Sequence, residues 1–171
     1  TIVYSLGVCM MFGFSALYHR VDWQARVLII MRKLDHSAIF VMIAGSFTPI
    51  CLLVLPSDTG IQLLFIVWII AGIGILQTIL FTQTPRLIRA GIYLVAGYMA
   101  VPYLSVMSSV MSMTNFTLTA AGGTIYTVGA IGYGFKFPDI SPKYFGYHEF
   151  FHILVAIAAV LHFIVIYSIV G

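Results

Sequence analysis

Charge is what this sequence has least of. Lys, Arg, Asp and Glu together make up 8% of its 171 residues, where a soluble domain needs about a quarter to wet its surface. A water-facing globular domain is excluded by that shortage, and lipid is the solvent that remains. Cysteine is scarce as well. Cys9 and Cys51 lie far apart within apolar stretches and in no CxxC pattern, which excludes a disulfide framework or a thiolate metal site and reads as two buried small hydrophobes. The ten-residue alternation of a membrane barrel strand is missing, as are linkers, low-complexity tracts and internal repeats. The chain starts at Thr1 inside an apolar stretch, without an initiator Met or a basic leading region. The expectation is an N-terminally truncated fragment and not a signal peptide.

What is present is apolar: 61% hydrophobic residues and a mean hydropathy of +1.08. A helix crosses a bilayer with about 20 apolar residues, each rising about 1.5 Å. Six stretches qualify, over approximately residues 1–19, 34–55, 61–82, 86–108, 117–135 and 147–170. The expected fold is all-α, a polytopic transmembrane helix bundle forming one domain over residues 1–171. Gly72, Gly74, Gly97, Pro49 and Pro102 fall inside these runs, as membrane helices tolerate. Gly72 and Gly74 are read as marks of close helix contact.

A net charge of +3 raises nucleic acid as a partner, but the placement of the charges excludes it. The expected loop after the first span carries Arg20, Arg26, Arg32 and Lys33. The loop after the third carries Arg86 and Arg89, and that after the fifth Lys136 and Lys143. The alternate loops, near residues 57–60 and 109–115, carry no Lys or Arg. Short basic loops face the cytoplasm, so both ends of the chain are expected on the other side. Membrane lipids are the expected partners.

Against this topology the polar residues coincide. His19 closes the first span at its cytoplasmic end, with Ser15 one turn deeper on the same face. Asp35 opens the second span. His148 and His152 open the last, four apart and on one face. All five arrive at one depth. Three imidazoles are a usual ligand set for catalytic zinc, leaving the fourth position open, and an i, i+4 pair lets two ring nitrogens converge. Ionisable groups at membrane depth are costly and have a partner or a function. The reading is zinc on His19, His148 and His152, with Asp35 as water activator and Ser15 beside it. Singly, each residue has a plainer role. His19 would be an interfacial residue, Asp35 an N-cap, Ser15 a packing hydroxyl and the histidine pair a polar network. His36 points about 100° around from Asp35, and His162 lies about 15 Å beyond His152. Neither is given a metal role, and His162 is expected to hydrogen-bond another helix. The run 148–152 also fits HExxH, in which Glu149 would be the general base, although an acid at a helix start is favoured in any case.

These residues also carry a family resemblance. Ser15-Ala16-Leu17-Tyr18-His19 resembles the Ser-x-x-x-His element of the haemolysin III proteins, bacterial relatives of the progestin and adiponectin receptors. Residues 33–37 and 44–49 (KLDHS and AGSFTP) are similar to that family's second motif. Residues 146–152 (GYHEFFH), continuing to Leu161-His162-Phe163, resemble its third. The resemblance implies seven helices with a cytoplasmic N-terminus, of which six are present here, in a bacterial inner membrane. It also implies zinc on His19, His148 and His152 at the cytoplasmic side, with Ser15 and Asp35 beside the metal. Because the superfamily includes membrane-embedded ceramidases, it points to an intramembrane hydrolase of lipid amide or related acyl bonds. Two other readings stand beside this one. The first is a non-enzymatic sensor or homeostasis protein with structural zinc. The second is a haemolysin-like pore, for which the spans offer few polar faces.

Overall fold

The computed structural model describes residues 2–141 and 145–171. Thr1 and Lys143, the latter one of the basic loop residues, lie outside the described residues. Among the described residues the fold is all-α, without a named strand. An isolated bridge between Ser141 and Phe145 closes the loop before the last helix. The helices gather into two compact units, residues 1–84 and 85–171.

The first unit contains α1 (Ile2–Arg20), α2 (Ala25–Leu53) and α3 (Ser57–Leu80), with α2 packed between the other two. Small residues set the approach. A Cβ added to Gly7 would lie 3.2 Å from the Met42 backbone, and one at Gly45 would lie 3.2 Å from the Val3 carbonyl oxygen. On α3 the buried positions Gly60, Leu63, Val67, Ala71, Gly74 and Thr78 repeat every three or four residues, the stripe a helix turns toward one neighbour. Gly74 admits the Phe40 ring, 2.3 Å from where its Cβ would stand. Among the described residues, a Cβ added to Gly72 would meet nothing within 4 Å, which corrects its reading as a contact glycine. Pro49 interrupts the hydrogen-bond ladder inside α2. Beside it, Ser46 and Thr48 donate their hydroxyls to the carbonyls of Met42 and Ala44, at 2.8 and 2.7 Å.

Two expectations for this unit change. Cys51 is buried but Cys9 is exposed, because α1 buries Tyr4, Gly7 and Met11 and residue 9 falls off that stripe. More consequentially, α2 begins at Ala25, nine residues ahead of the expected start. Arg26, Arg32 and Lys33 are therefore helical, not loop, and Asp35 neither opens nor caps the helix. Helix formation does not stop where the apolar run stops. The link to α1 is short, and the Trp23 indole donates to the Leu17 carbonyl at 2.8 Å, satisfying one of the acceptors a helix C-terminus leaves open.

The second unit contains α4 (Arg86–Tyr98), a 3-10 turn at Val101–Tyr103, α5 (Leu104–Val110), α6 (Met113–Phe135) and α7 (Tyr147–Val170). The fourth expected span is thus broken, at Pro102, which lacks the N–H a continuous helix would use. Helix α6 packs on α4 and α7. Asn115, Thr119, Gly122, Tyr126, Gly129 and Tyr133 follow one another at alternating steps of four and three, and they meet α7. Asn115 Nδ2 donates to Ser168 Oγ at 3.3 Å, and His162 Nε2 lies 3.3 Å from the Thr119 carbonyl. The expected hydrogen bond of His162 to another helix is this one. A Cβ on Gly122 would stand 2.5 Å from the His162 ring.

Among the described residues, five stretches are long and apolar enough to cross a membrane: Ile2–Arg20, Ala25–Leu53, Ser57–Leu80, Arg86–Val110 and Tyr147–Val170. The chain is a multi-pass membrane protein. Helix α6, the expected fifth span, has 23 residues but is less apolar, because its polar and glycine stripe is turned to α7.

Candidate metal centre

The second unit carries the histidine pair. Gly146 is the N-cap of α7, and Glu149 Oε2 accepts the Gly146 backbone N–H at 2.9 Å, the acid half of a capping box, which starts the helix one residue before His148. Starting there puts His148 and His152 on successive turns, with ring centroids 4.5 Å apart and planes crossed at 83°. Both are half-buried. Their faces meet other rings: Tyr133 lies 6.2 Å from His148 and Phe151 lies 5.6 Å from His152. From α4, Arg86 Nη1 donates to the Tyr147 hydroxyl, and its guanidinium carbon stands 5.5 Å from the centre of the Tyr147 ring.

The first unit carries the other three residues. His19 is exposed in the last turn of α1, its ring 4.6 Å from that of Tyr18. Ser15 is half-buried one turn earlier. Gly7 faces Met42, so counting eight residues on along α1 and eight back along α2 brings Ser15 level with Leu34, beside Asp35. Asp35 is only 9% exposed. It is a carboxylate in the interior stretch of an apolar helix, and its neighbour His36 is half-buried.

The donor chemistry fits zinc. Two imidazoles one helical turn apart, partly withdrawn from solvent, are a ligand pair that zinc takes. Glu149 fits less well as the base of an HExxH site, because its carboxylate serves the cap of its own helix and its side chain is exposed. Glu149→Gln is therefore expected to leave zinc content and any turnover at wild-type level, with a stability loss of about 0.3–1 kcal/mol from the lost charge at the helix N-terminus. Thermal unfolding and metal content measured on the same preparation check it.

Sequence reasoning missed Tyr133, Phe151 and the Arg86–Tyr147 contact. The signal for Tyr133 was the four-and-three stripe of α6, hidden in a helix of low hydropathy. Arg86 was read only as a loop charge. Arg89, read the same way, is buried on α4 at 7% exposure.

Fold and site define a polytopic helical membrane protein with a paired-imidazole motif at the head of its last helix. The family described as "Haemolysin-III related" matches residues 1–163, and the chain belongs to that family. It is 34% identical to Hemolysin-3 of Bacillus cereus over 131 residues, covering 75% of this chain and 58% of that protein. It is 33% identical to the Hemolysin-3 homolog of Bacillus subtilis (strain 168) over 134 residues, covering 78% and 62%. The human Monocyte to macrophage differentiation factor is 27% identical over 170 residues, covering 97% of this chain and 68% of that protein. The chain thus spans about three fifths of the length of the Bacillus relatives.

Proposed function

We propose that this chain is the zinc-binding part of an intramembrane hydrolase acting on lipid amide or related acyl bonds, in a bacterial inner membrane with the site on the cytoplasmic side. The observation that carries the reading is the crossed His148–His152 pair at the head of an apolar helix, in a chain that also buries a carboxylate, Asp35, within an apolar helix. His148, His152 and His19 would hold the metal. Bound zinc supplies Lewis acidity, which polarises a carbonyl and makes water acidic enough to lose a proton near neutral pH.

The remaining chemistry belongs to the chain. Asp35, buried within α2, orients the attacking water and takes its proton. A base drawn from α2 is independent of the α7 cap that occupies Glu149. Ser15, at the level of Asp35 on the adjoining helix, donates a hydrogen bond to the oxygen on which negative charge builds. The apolar exterior of the helices supplies a lipid-facing route for a substrate with acyl chains.

Asp35→Asn tests this. It is expected to keep zinc while lowering turnover on a panel of lipid amides and esters by about 10²-fold or more, the usual contribution of a positioned base. Zinc-loaded wild-type protein silent on the whole panel, or full turnover in the variant, overturns it. If Asp35→Asn instead sheds the metal, the carboxylate is a fourth ligand and the zinc is structural, the closed coordination of a non-enzymatic sensor. The name Hemolysin-3 carried by the Bacillus cereus relative keeps a pore as the other rival, and conductance across planar bilayers would identify it.

A further inference from the structure

Four rings in the second unit close on themselves. Tyr133 of α6 lies 6.2 Å from His148, His148 4.5 Å from His152, His152 5.6 Å from Phe151, and Phe151 5.1 Å from Tyr133. All four separations fall in the range where aromatic rings attract through their edges and faces. We propose that Tyr133, working with Phe151, is a positioning residue that locks the two imidazoles in their crossed arrangement before any metal is bound. The purpose assigned to that lock rests on the metal reading above, but the lock itself does not.

An imidazole in the first turns of a helix has two side-chain torsions that the helical backbone does not fix. His148 and His152 share one helix, so their backbone spacing is fixed but their ring planes are not. A ring on a different helix can set those planes, and Tyr133 is such a ring. It touches His148 directly and reaches His152 through Phe151. Gly129, one turn earlier on α6, faces the same ring. A Cβ there would come to 3.4 Å from both the Phe151 ring and the Leu154 side chain, so Phe151 and Leu154 seat close against the α6 backbone at this turn. The outer edge is held too. Tyr133 lies 6.3 Å from Tyr147, whose hydroxyl accepts from Arg86 of α4. Tyr133 is thus bordered by three α7 rings, one of which is tied to α4 through Arg86. Ligands held by packing in a productive rotamer bind metal more tightly than ligands that must be ordered on binding.

The test uses the full chain in detergent, labelled with 13C-histidine, as wild type, Tyr133→Leu and Tyr133→Phe. In metal-free protein the ring resonances of His148 and His152, assigned through single His→Gln variants, are expected to be dispersed in wild type and Tyr133→Phe. In Tyr133→Leu they should collapse toward free-imidazole positions. The His162 resonance, reporting the Tyr126 and Thr119 contacts further along α7, should stay put in all three and serves as the check on folding. Zinc competition with a chelator should show affinity lower by about 10- to 100-fold in Tyr133→Leu and near wild type in Tyr133→Phe. A folded Tyr133→Leu with wild-type His148 and His152 resonances overturns the proposal. Should that variant lose the His162 signal, Phe151→Met is judged by the same criteria. Wild-type protein that takes up no zinc would refute the metal reading, while the metal-free resonances still decide the role of Tyr133.

Discussion

Replacing His148 and His152 together with Ala is expected to take bound zinc from about one per chain to none. Two of the three proposed ligands vanish, and a site reduced to His19 has no chelate left. The change is large because ligand loss at a three-imidazole site is not compensated by solvent, which is the competitor the site must beat. The comparison variant is His162→Ala. That residue shares α7 and its apolar surroundings, but its ring faces Gly122, Tyr126 and the Thr119 carbonyl. It should keep full zinc content. Metal analysis by mass spectrometry of the three purified proteins reads the result directly. Zinc retained in the double variant would remove the pair from the ligand set, and metal-free wild type would leave it a polar network.

Gly60→Ala should destabilise the first unit severely. The added Cβ would fall 2.0 Å from the Cys51 carbonyl oxygen and 3.1 Å from its carbon. Backbone cannot rotate away as a side-chain tip can, so α2 and α3 must separate where the Val54–Pro56 turn joins them. Overpacking of this kind costs about 1–3 kcal/mol and more where the obstacle is rigid. The helix preference of Ala over Gly returns at most about 1 kcal/mol. The expected outcome is a melting temperature lower by roughly 2–12 °C, at about 2–4 °C per kcal/mol for a chain of this size, and a reduced yield of folded protein. Gly72→Ala lies on the same helix with nothing within 4 Å and should be neutral or slightly stabilising. Equal melting of the two variants would show that α3 is not packed on α2 through Gly60.

The residues that could be read from the sequence were those whose surroundings are set by lipid. Tyr147 as the start of α7 followed from hydropathy and the acid at Glu149, and the structure starts the helix there. The all-α class followed from the shortage of charge. The start of α2 did not. A hydropathy reading equates helix ends with the edge of the apolar run, whereas hydrogen bonding continues the helix through Arg26, Arg32 and Lys33 into polar surroundings. That one difference moved Asp35 from a cap into the helix body and turned a plain structural role into a buried carboxylate. The role of Tyr133 was illegible for the opposite reason, although the stripe of α6 marked its position. Its importance lies in the rings it meets on another helix, and no periodicity within α6 states what faces it. The i, i+4 spacing of His148 and His152 needed no tertiary knowledge, since helix geometry alone brings them together.

The length of α2 has a consequence of its own. Its 29 residues span about 43 Å, against about 30 Å of hydrocarbon in a typical bilayer. The surplus must be absorbed by tilt, by local thickening of the membrane, or by extension into the headgroup layer. The charges at its N-terminal end, Arg26, Arg32 and Lys33, favour the last and pin that end at the interface. Hydrophobic mismatch then acts on the opposite end, where Pro49 already loosens the helix. A thinner or thicker bilayer would be felt as strain at the apolar end of α2, with the end that bears Asp35 held at a constant height relative to the phosphates.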